Sequence, residues 1–147
     1  MSVESASRAP ISRLDDLPTL ERRLVICARL WQAGAAGRTE LGRGLTARHG
    51  PAIGKATEDR LDELLQMVCA HSRRRVELSP VGAEGASGDE CVLARLVALA
   101  AEGECEEAIL ISALLIRADL ALELARRAMA LGHLMLRRPG ALALLLD

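Results

Sequence analysis

Phenylalanine and tyrosine are absent from this chain of 147 residues, and Trp31 is its one aromatic side chain. Half of the residues are hydrophobic, so a core has to be assembled from Leu, Ala, Val and Ile. Ala and Leu have high helix propensity, and the aromatic and β-branched residues that fill pleated sheets are scarce. The composition predicts an all-α fold.

Lysine is nearly missing as well: the cations are eighteen Arg and the single Lys55, a bias that reads as GC-rich coding and is assigned no function. The formal net charge is −1, which gives no general attraction for nucleic acid or an anionic membrane, although it leaves room for a local basic patch. Long apolar runs are missing too. Residues 108–116 form a run of nine, counting Ser112, that Arg117 and Asp119 stop. A bilayer span needs roughly 20. The opening MSVESASRAP has no apolar core of the signal-peptide kind. This predicts a cytoplasmic protein in which Cys27, Cys69, Cys91 and Cys105 are reduced thiols.

A chain of this length suits one domain. Residues 1–15, rich in Ser, Arg and Pro, read as a flexible lead-in. Residues 16–147 read as a single compact bundle of about five to seven helices, in groups 16–75 and 87–147 joined by a Gly/Pro-rich loop at 76–86. Leu20, Leu24, Cys27, Ala28 and Trp31 share one face of a first helix that ends near Gly34. The next stretch, RTELGRGLTARHG, has only Leu41 and Leu45 as anchors and carries Gly42 and Gly44, each costing about 1 kcal/mol relative to Ala, so it predicts a short, marginal helix.

A third helix is expected from about Lys55 to Ser72, with Leu61, Leu64, Leu65 and Val68 as its stripe and Glu58, Asp59, Asp62 and Glu63 in water near its positive end. Arg73, Arg74 and Arg75 follow it and complement its dipole. In the loop, a short extended segment at residues 76–78 is compatible with the pattern. Ser87 and Glu90 then form a capping box before the run of Val92, Leu93, Leu96, Val97 and Ala100. Gly103 is a natural C-cap. The helix that begins with Glu104, Glu106 and Glu107 has little polar surface, because Leu110, Ile111, Leu114 and Leu115 occupy it, and this predicts the buried central element. Asp119 can cap a last helix lined by Leu120, Leu124, Ala128, Leu131 and Met135. After Pro139 comes the tail ALALLLD, whose Leu142, Leu144, Leu145 and Leu146 need a neighbour or a second subunit to cover them. Neither a fixed repeat nor sustained heptads are present.

Metal and redox chemistry have little to build on. Cys69 and His71 form a C-x-H pair, but helix geometry separates residues two apart, and neither a C-x-x-C nor a His-x-x-x-His is present. At Cys105 a helix N-terminus would lower the thiol pKa while Glu104, Glu106 and Glu107 oppose it, so no nucleophile is assigned. The chain has no G-x-S-x-G, P-loop, G-x-G-x-x-G or H-E-x-x-H. The expectation is a non-enzyme without a cofactor. A nucleic-acid reading would use Arg38, Arg43, Arg48 and Lys55 in a helix-turn-helix, but the acids at the start of the third helix argue against it. Arg73, Arg74 and Arg75, with His71, are a candidate anion contact for which the dipole already gives a reason.

The stretch from His71 to Leu136, with HSRRR, SGDE, ARLVALAAEGECEEAILISALLIRADLALELARRA and GHLMLRR, resembles small, uncharacterised helical proteins of alphaproteobacteria. The resemblance implies a bacterial source and a helical fold, and carries over no activity and no site residue. The function expected from the residues is cytoplasmic protein interaction or regulation, with dimerisation through the tail and the apolar helix at about 105–116 as its concrete form. A DNA-binding regulator using 38–55 is the alternative.

Overall fold

Leu and Ala at three- and four-residue spacing wind the chain into helices through most of residues 10–137, the part that the computed structural model describes. Strand β1 (Pro10–Arg13) and a 3-10 turn (Leu14–Asp16) lead into α1 (Thr19–Gln32), α2 (Gly34–His49) and α3 (Pro51–His71). An irregular stretch follows, then β2 (Gly85–Ser87), α4 (Gly88–Ala101), α5 (Cys105–Leu115), a second 3-10 turn (Ala118–Leu120) and α6 (Ala121–Met135). The all-α bundle expected from the sequence is therefore present, with six α-helices among the described residues.

Five of the helices close a ring in which α1 packs on α2, α2 on α3, α3 on α6, α6 on α4 and α4 back on α1. Leu24 and Val25 of α1, Leu41 of α2, Leu61 and Leu64 of α3, Leu93 and Leu96 of α4, and Leu124 and Leu131 of α6 fill its interior. Helix α5 stands outside the ring, against α4 and α6.

That placement corrects the sequence expectation for α5. Only Ala108, Ser112 and Leu115 of this helix are buried, and Leu110 and Leu114 are 70% and 68% exposed. The central position belongs to α4, where Leu93, Ala94 and the run of residues 96–100 are all buried. A helix that is apolar all round has no face that periodicity can assign to the core.

Helix α2 is longer than expected. It runs unbroken for 16 residues through Gly42 and Gly44, because Leu41 and Leu45 are anchored in the core and tertiary packing overrides propensity. Its Gly37 lies so close to the Leu30 carbonyl of α1 that any side chain would collide with it.

Residues 10–16, which take in the end of the expected flexible lead-in, carry regular structure, and residues 1–9 lie outside the described residues. β1 pairs antiparallel with β2, Ser12 opposite Ala86 and Arg13 opposite Gly85, and the Leu14 N–H donates to the Glu84 carbonyl at 2.8 Å. β1 is exposed at all of its positions, so it carries no alternating pattern to betray it. Residues 76–78 form no strand, and the Glu77 N–H donates instead to Asp89 at 2.8 Å.

The ends of α4 are as the sequence indicates. Ser87 Oγ accepts the Glu90 N–H at 3.1 Å, and Glu90 Oε1 accepts the Ser87 N–H at 2.9 Å. At the other end Glu104 N–H reaches the Leu99 carbonyl and Gly103 N–H the Ala100 carbonyl, the paired bonds of a Schellman termination. Asp119 departs from expectation: it is exposed within the second 3-10 turn, 3.6 Å from Arg117, and no side chain caps α6.

Helices α4 and α6 approach most closely at Gly132, where an added Cβ would stand 2.7 Å from the Ala101 Cβ and 3.1 Å from the Val97 carbonyl oxygen. Gly132→Ala is expected to destabilise the protein by about 1–3 kcal/mol in urea unfolding through this overpacking, in spite of the higher helix propensity of Ala. An unchanged or raised midpoint would show that the two helices are free to separate there.

Candidate interaction surface

The N-terminus of α4 is the most densely bonded place among the described residues. Arg29 of α1 and Glu90 are 3% and 1% exposed. Arg29 donates from Nε to Glu90 Oε2 at 2.7 Å and from Nη2 to Oε1 at 2.9 Å. It also donates to the carbonyls of Ala83 and Gly85, at 2.8 and 2.9 Å. Glu90 in turn accepts the Ser79 N–H at 3.1 Å in addition to its capping-box bond. Next to it, Asp89 accepts both Arg74 and the Glu77 N–H, and Ser87 Oγ donates to the Glu77 carbonyl at 3.0 Å. The irregular segment 72–87 is thus wrapped onto α4 by a buried polar clamp.

The clamp leaves no group poised for chemistry at Glu90. Burial disfavours its charge, but hydrogen bonds from Arg29, Ser87 and Ser79 outweigh burial and hold the carboxyl below its ordinary value. Each carboxylate oxygen accepts two bonds. The carboxylate is therefore ionised and fully engaged, unlike a general acid or base that must face a substrate. A cleft of about 440 Å³ beside the clamp, lined by Pro10, Gln32, Leu78, Ser79, Pro80, Ala83 and Gly85, contains no ionisable side chain.

The cysteines are disposed as small apolar groups or as exposed thiols. Burial pushes Cys27 up to about 11. It also raises Cys69 and Cys91, where the charge of Glu90 adds to the effect at Cys91. Thiols raised in this way stay protonated at neutral pH and are poor nucleophiles. Among the described residues no three His, Cys, Asp or Glu side chains gather as a metal site requires, Cys69 and His71 included.

The basic residues singled out in the sequence do not converge. Arg38, Arg43 and Arg48 recur every five residues on α2, about 140° apart around the helix, so they share no face. Arg38 lies over the Trp31 ring, 4.9 Å from its centroid, and donates to the Trp31 carbonyl. Lys55 pairs with Asp59 one turn along α3 at 3.2 Å. Arg73, Arg74 and Arg75 go three ways. Arg73 caps the C-terminal end of α5, its backbone N–H on the Leu115 carbonyl and its Nε on the Ile116 carbonyl, both at 3.1 Å. Arg74 binds Asp89, and Arg75 lies 3.8 Å from Glu77.

A second polar cluster was not singled out in the sequence. Arg23 donates to the Met135 carbonyl at the end of α6, at 3.0 Å, and to His49 Nε2 at 3.2 Å. The His49 tautomer then carries its proton on Nδ1, which is buried without a partner. Desolvation, reinforced by the charges of Arg23 and Arg48, holds the imidazole below its ordinary pKa. Neither this cluster nor the Arg29–Glu90 pair has a local signature, because their members lie far apart in sequence.

Large apolar side chains are exposed at Ile11, Ile26, Val81, Leu122 and Leu136, and the two most exposed among the described residues lie on the outlying helix. Leu110 and Leu114, one turn apart on α5, point away from the buried side of that helix. On its other flank an apolar groove of about 160 Å³ runs between α5 and α6, among Cys105, Ala108, Ile109, Leu122, Ala125 and Met129, with Arg126 at its edge. The tail residues Leu142, Leu144, Leu145 and Leu146, expected to form a partner surface, lie outside the described residues. No described helix is long and apolar enough to cross a membrane. The fold and its surfaces define an all-α bundle with one outlying apolar helix. Comparison with family models, with curated proteins and with solved structures gives no match to this chain.

Removing one member of the buried pair strands the other. Arg29→Met is expected to cost about 3–5 kcal/mol in chemical unfolding, several times the loss from an exposed pair such as Arg60–Glu63. A loss equal to that of the exposed pair would deny the clamp its role. His49, with a folded pKa below its ordinary 6.5, contributes stability that is fully present above that value and is lost as pH falls through the folded pKa. The melting temperature of the native protein should therefore drop more steeply between about pH 7 and pH 5 than that of His49→Gln. Parallel curves would contradict this assignment.

Proposed function

We propose that this protein is a non-enzymatic, cytoplasmic interaction protein of bacterial type, and that α5 is the helix through which it associates with a second copy of itself. The carrying observation is the outward face of α5, with Leu110 and Leu114 exposed side by side. Two exposed Leu on a helix that packs on α4 and α6 by its other side are the kind of apolar surface that marks an interface.

Charge favours a second copy as the partner. Glu107 precedes Leu110 by three residues, and Arg117 follows Leu114 by three. In an antiparallel pairing of two α5 helices about a two-fold axis near Ser112, Leu110 of one copy faces Leu114 of the other. Glu107 of each copy then comes to the C-terminal end of the other α5, just beyond which Arg117 lies 3.6 Å from its own Asp119. The same patch is complementary to itself, as a two-fold interface requires. The saturated Glu90, the protonated thiols and the dispersed arginines support binding over catalysis or nucleic-acid recognition.

Light scattering with sedimentation tests this directly. The expected result is a dimer at micromolar concentration that becomes a monomer in Leu114→Asp while helicity and melting temperature are kept. Glu107→Arg should weaken the dimer, and adding Arg117→Glu should restore it. A native chain that stays monomeric at high micromolar concentration overturns the reading.

A further inference from the structure

We infer that the cleft between α1 and the turn at 80–83 takes a segment of another protein in which an apolar side chain has Arg or Lys beside it. No residue of α5 lines this cleft, so the inference goes beyond the self-association proposed above. The cleft measures about 350 Å³. Its apolar lining comes from Leu14 of the first 3-10 turn, Ile26 of α1 and Val81 of the loop. Ile26 and Val81 are 40% and 52% exposed, so two of the large apolar side chains that folding leaves in water meet at one opening.

The backbone holds Val81 in that position. The Ala83 N–H closes the turn on the Pro80 carbonyl at 3.1 Å, and Gly82 has φ 91°, as the second central residue of a type II turn does. Val81 is then the first central residue, at the tip. The turn is fixed on both sides, because Glu90 accepts the Ser79 N–H and Arg29 donates to the Ala83 and Gly85 carbonyls. This wall of the cleft is formed before a partner arrives, which lowers the ordering cost of association.

Charge selects the partner. Three ionisable side chains line the cleft, Asp15, Arg29 and Glu84. The charge of Arg29 is matched by Glu90 at 2.7 Å, whereas Asp15 and Glu84 are exposed and have no ion-pair partner among the described residues. Arg13 and Arg22, on the same two elements' flanks, do not line the cleft. An apolar cleft whose unmatched charges are both acidic complements a side chain such as Leu with cations next to it. A chain segment suits the site better than a small organic cation does. A crossing chain covers the exposed Ile26 and Val81, and a molecule sunk in the cleft leaves them in water.

Fluorescence polarisation on the native protein tests this. The probe is a labelled, blocked hexapeptide alternating Leu and Arg, and its counterpart alternates Leu and Glu. The Leu/Arg peptide should bind saturably, about tenfold or more tighter than the Leu/Glu peptide, and should weaken with added salt. Asp15→Asn with Glu84→Gln should weaken binding about fivefold. Ile26→Gln with Val81→Ser should weaken it about tenfold, with helicity and melting temperature kept. Glu104→Gln with Glu106→Gln, at the exposed start of α5, should leave binding unchanged.

Absence of saturable binding, equal binding of the two peptides, or binding that ignores the cleft variants or falls with the α5 variants overturns the inference. Displacement of the peptide by n-hexylammonium at equal concentration also overturns it, because the site would then take a small organic cation. So does a Leu114→Asp protein that still dimerises until Val81→Ser is added, because a second copy would then fill the cleft. The peptide measurements do not depend on α5 pairing, so their failure leaves the oligomeric state to be judged by light scattering.

Discussion

The buried pairing of Arg29 with Glu90 is the interaction on which the rest of the structure depends. It joins α1 to the first turn of α4, 61 residues apart in sequence, and thereby closes the helix ring. Its remaining donors and acceptors hold the backbone at Ser79, Ala83 and Gly85. A charge taken out of water is tolerable only when every lone pair and N–H finds a partner. That requirement explains why so much backbone converges there. Because Ser87 caps α4 and β2 runs directly into it, the strand that pairs with β1 is positioned by the same bonds.

A closed ring has consequences for the sixth helix. With α1, α2, α3, α4 and α6 sharing the core, α5 can add only one face to the assembly. It is held at its N-terminal end by the Schellman turn at Gly103, and at its C-terminal end by Arg73 and the bridge between Ser72 and Ile116. Both ends are fixed, and the apolar side chains between them remain on the surface. An apolar helix that is rigidly held and poorly covered is suited to binding another chain, since little ordering remains to oppose association.

Much of this was legible in the sequence where the determinants are local. The stripes of α1, α3 and α6, the Ser87–Glu90 capping box and the glycine that ends α4 all follow from spacing within a few residues. The layer order was not legible. Helices α4 and α5 are both apolar, and what distinguishes α4 is that it packs on α1 as well as α6 and that Arg29 of α1 pairs with its Glu90, contacts that no window of the sequence contains. The β1–β2 ladder was hidden for a similar reason, since the exposed residues of Pro10–Arg13 gain their order from a loop fixed by the clamp. Of the candidate site, Leu110 and Leu114 could be named from composition, but the depth assigned to them was wrong. The arginines were visible as charges, whereas Arg29, Arg23 and Arg73 declare their roles only through partners on other elements.

If the clamp governs the fold, the amides it holds can open only when the ring opens. Native-state hydrogen exchange at Ser79 and Ser87, whose N–H groups both donate to Glu90, tests this most directly. The account predicts that these two loop amides exchange with the same free energy of opening as the core of α4. Exchange at Ser79 and Ser87 through low-energy local opening, while Leu96 and Val97 stay protected, would contradict it.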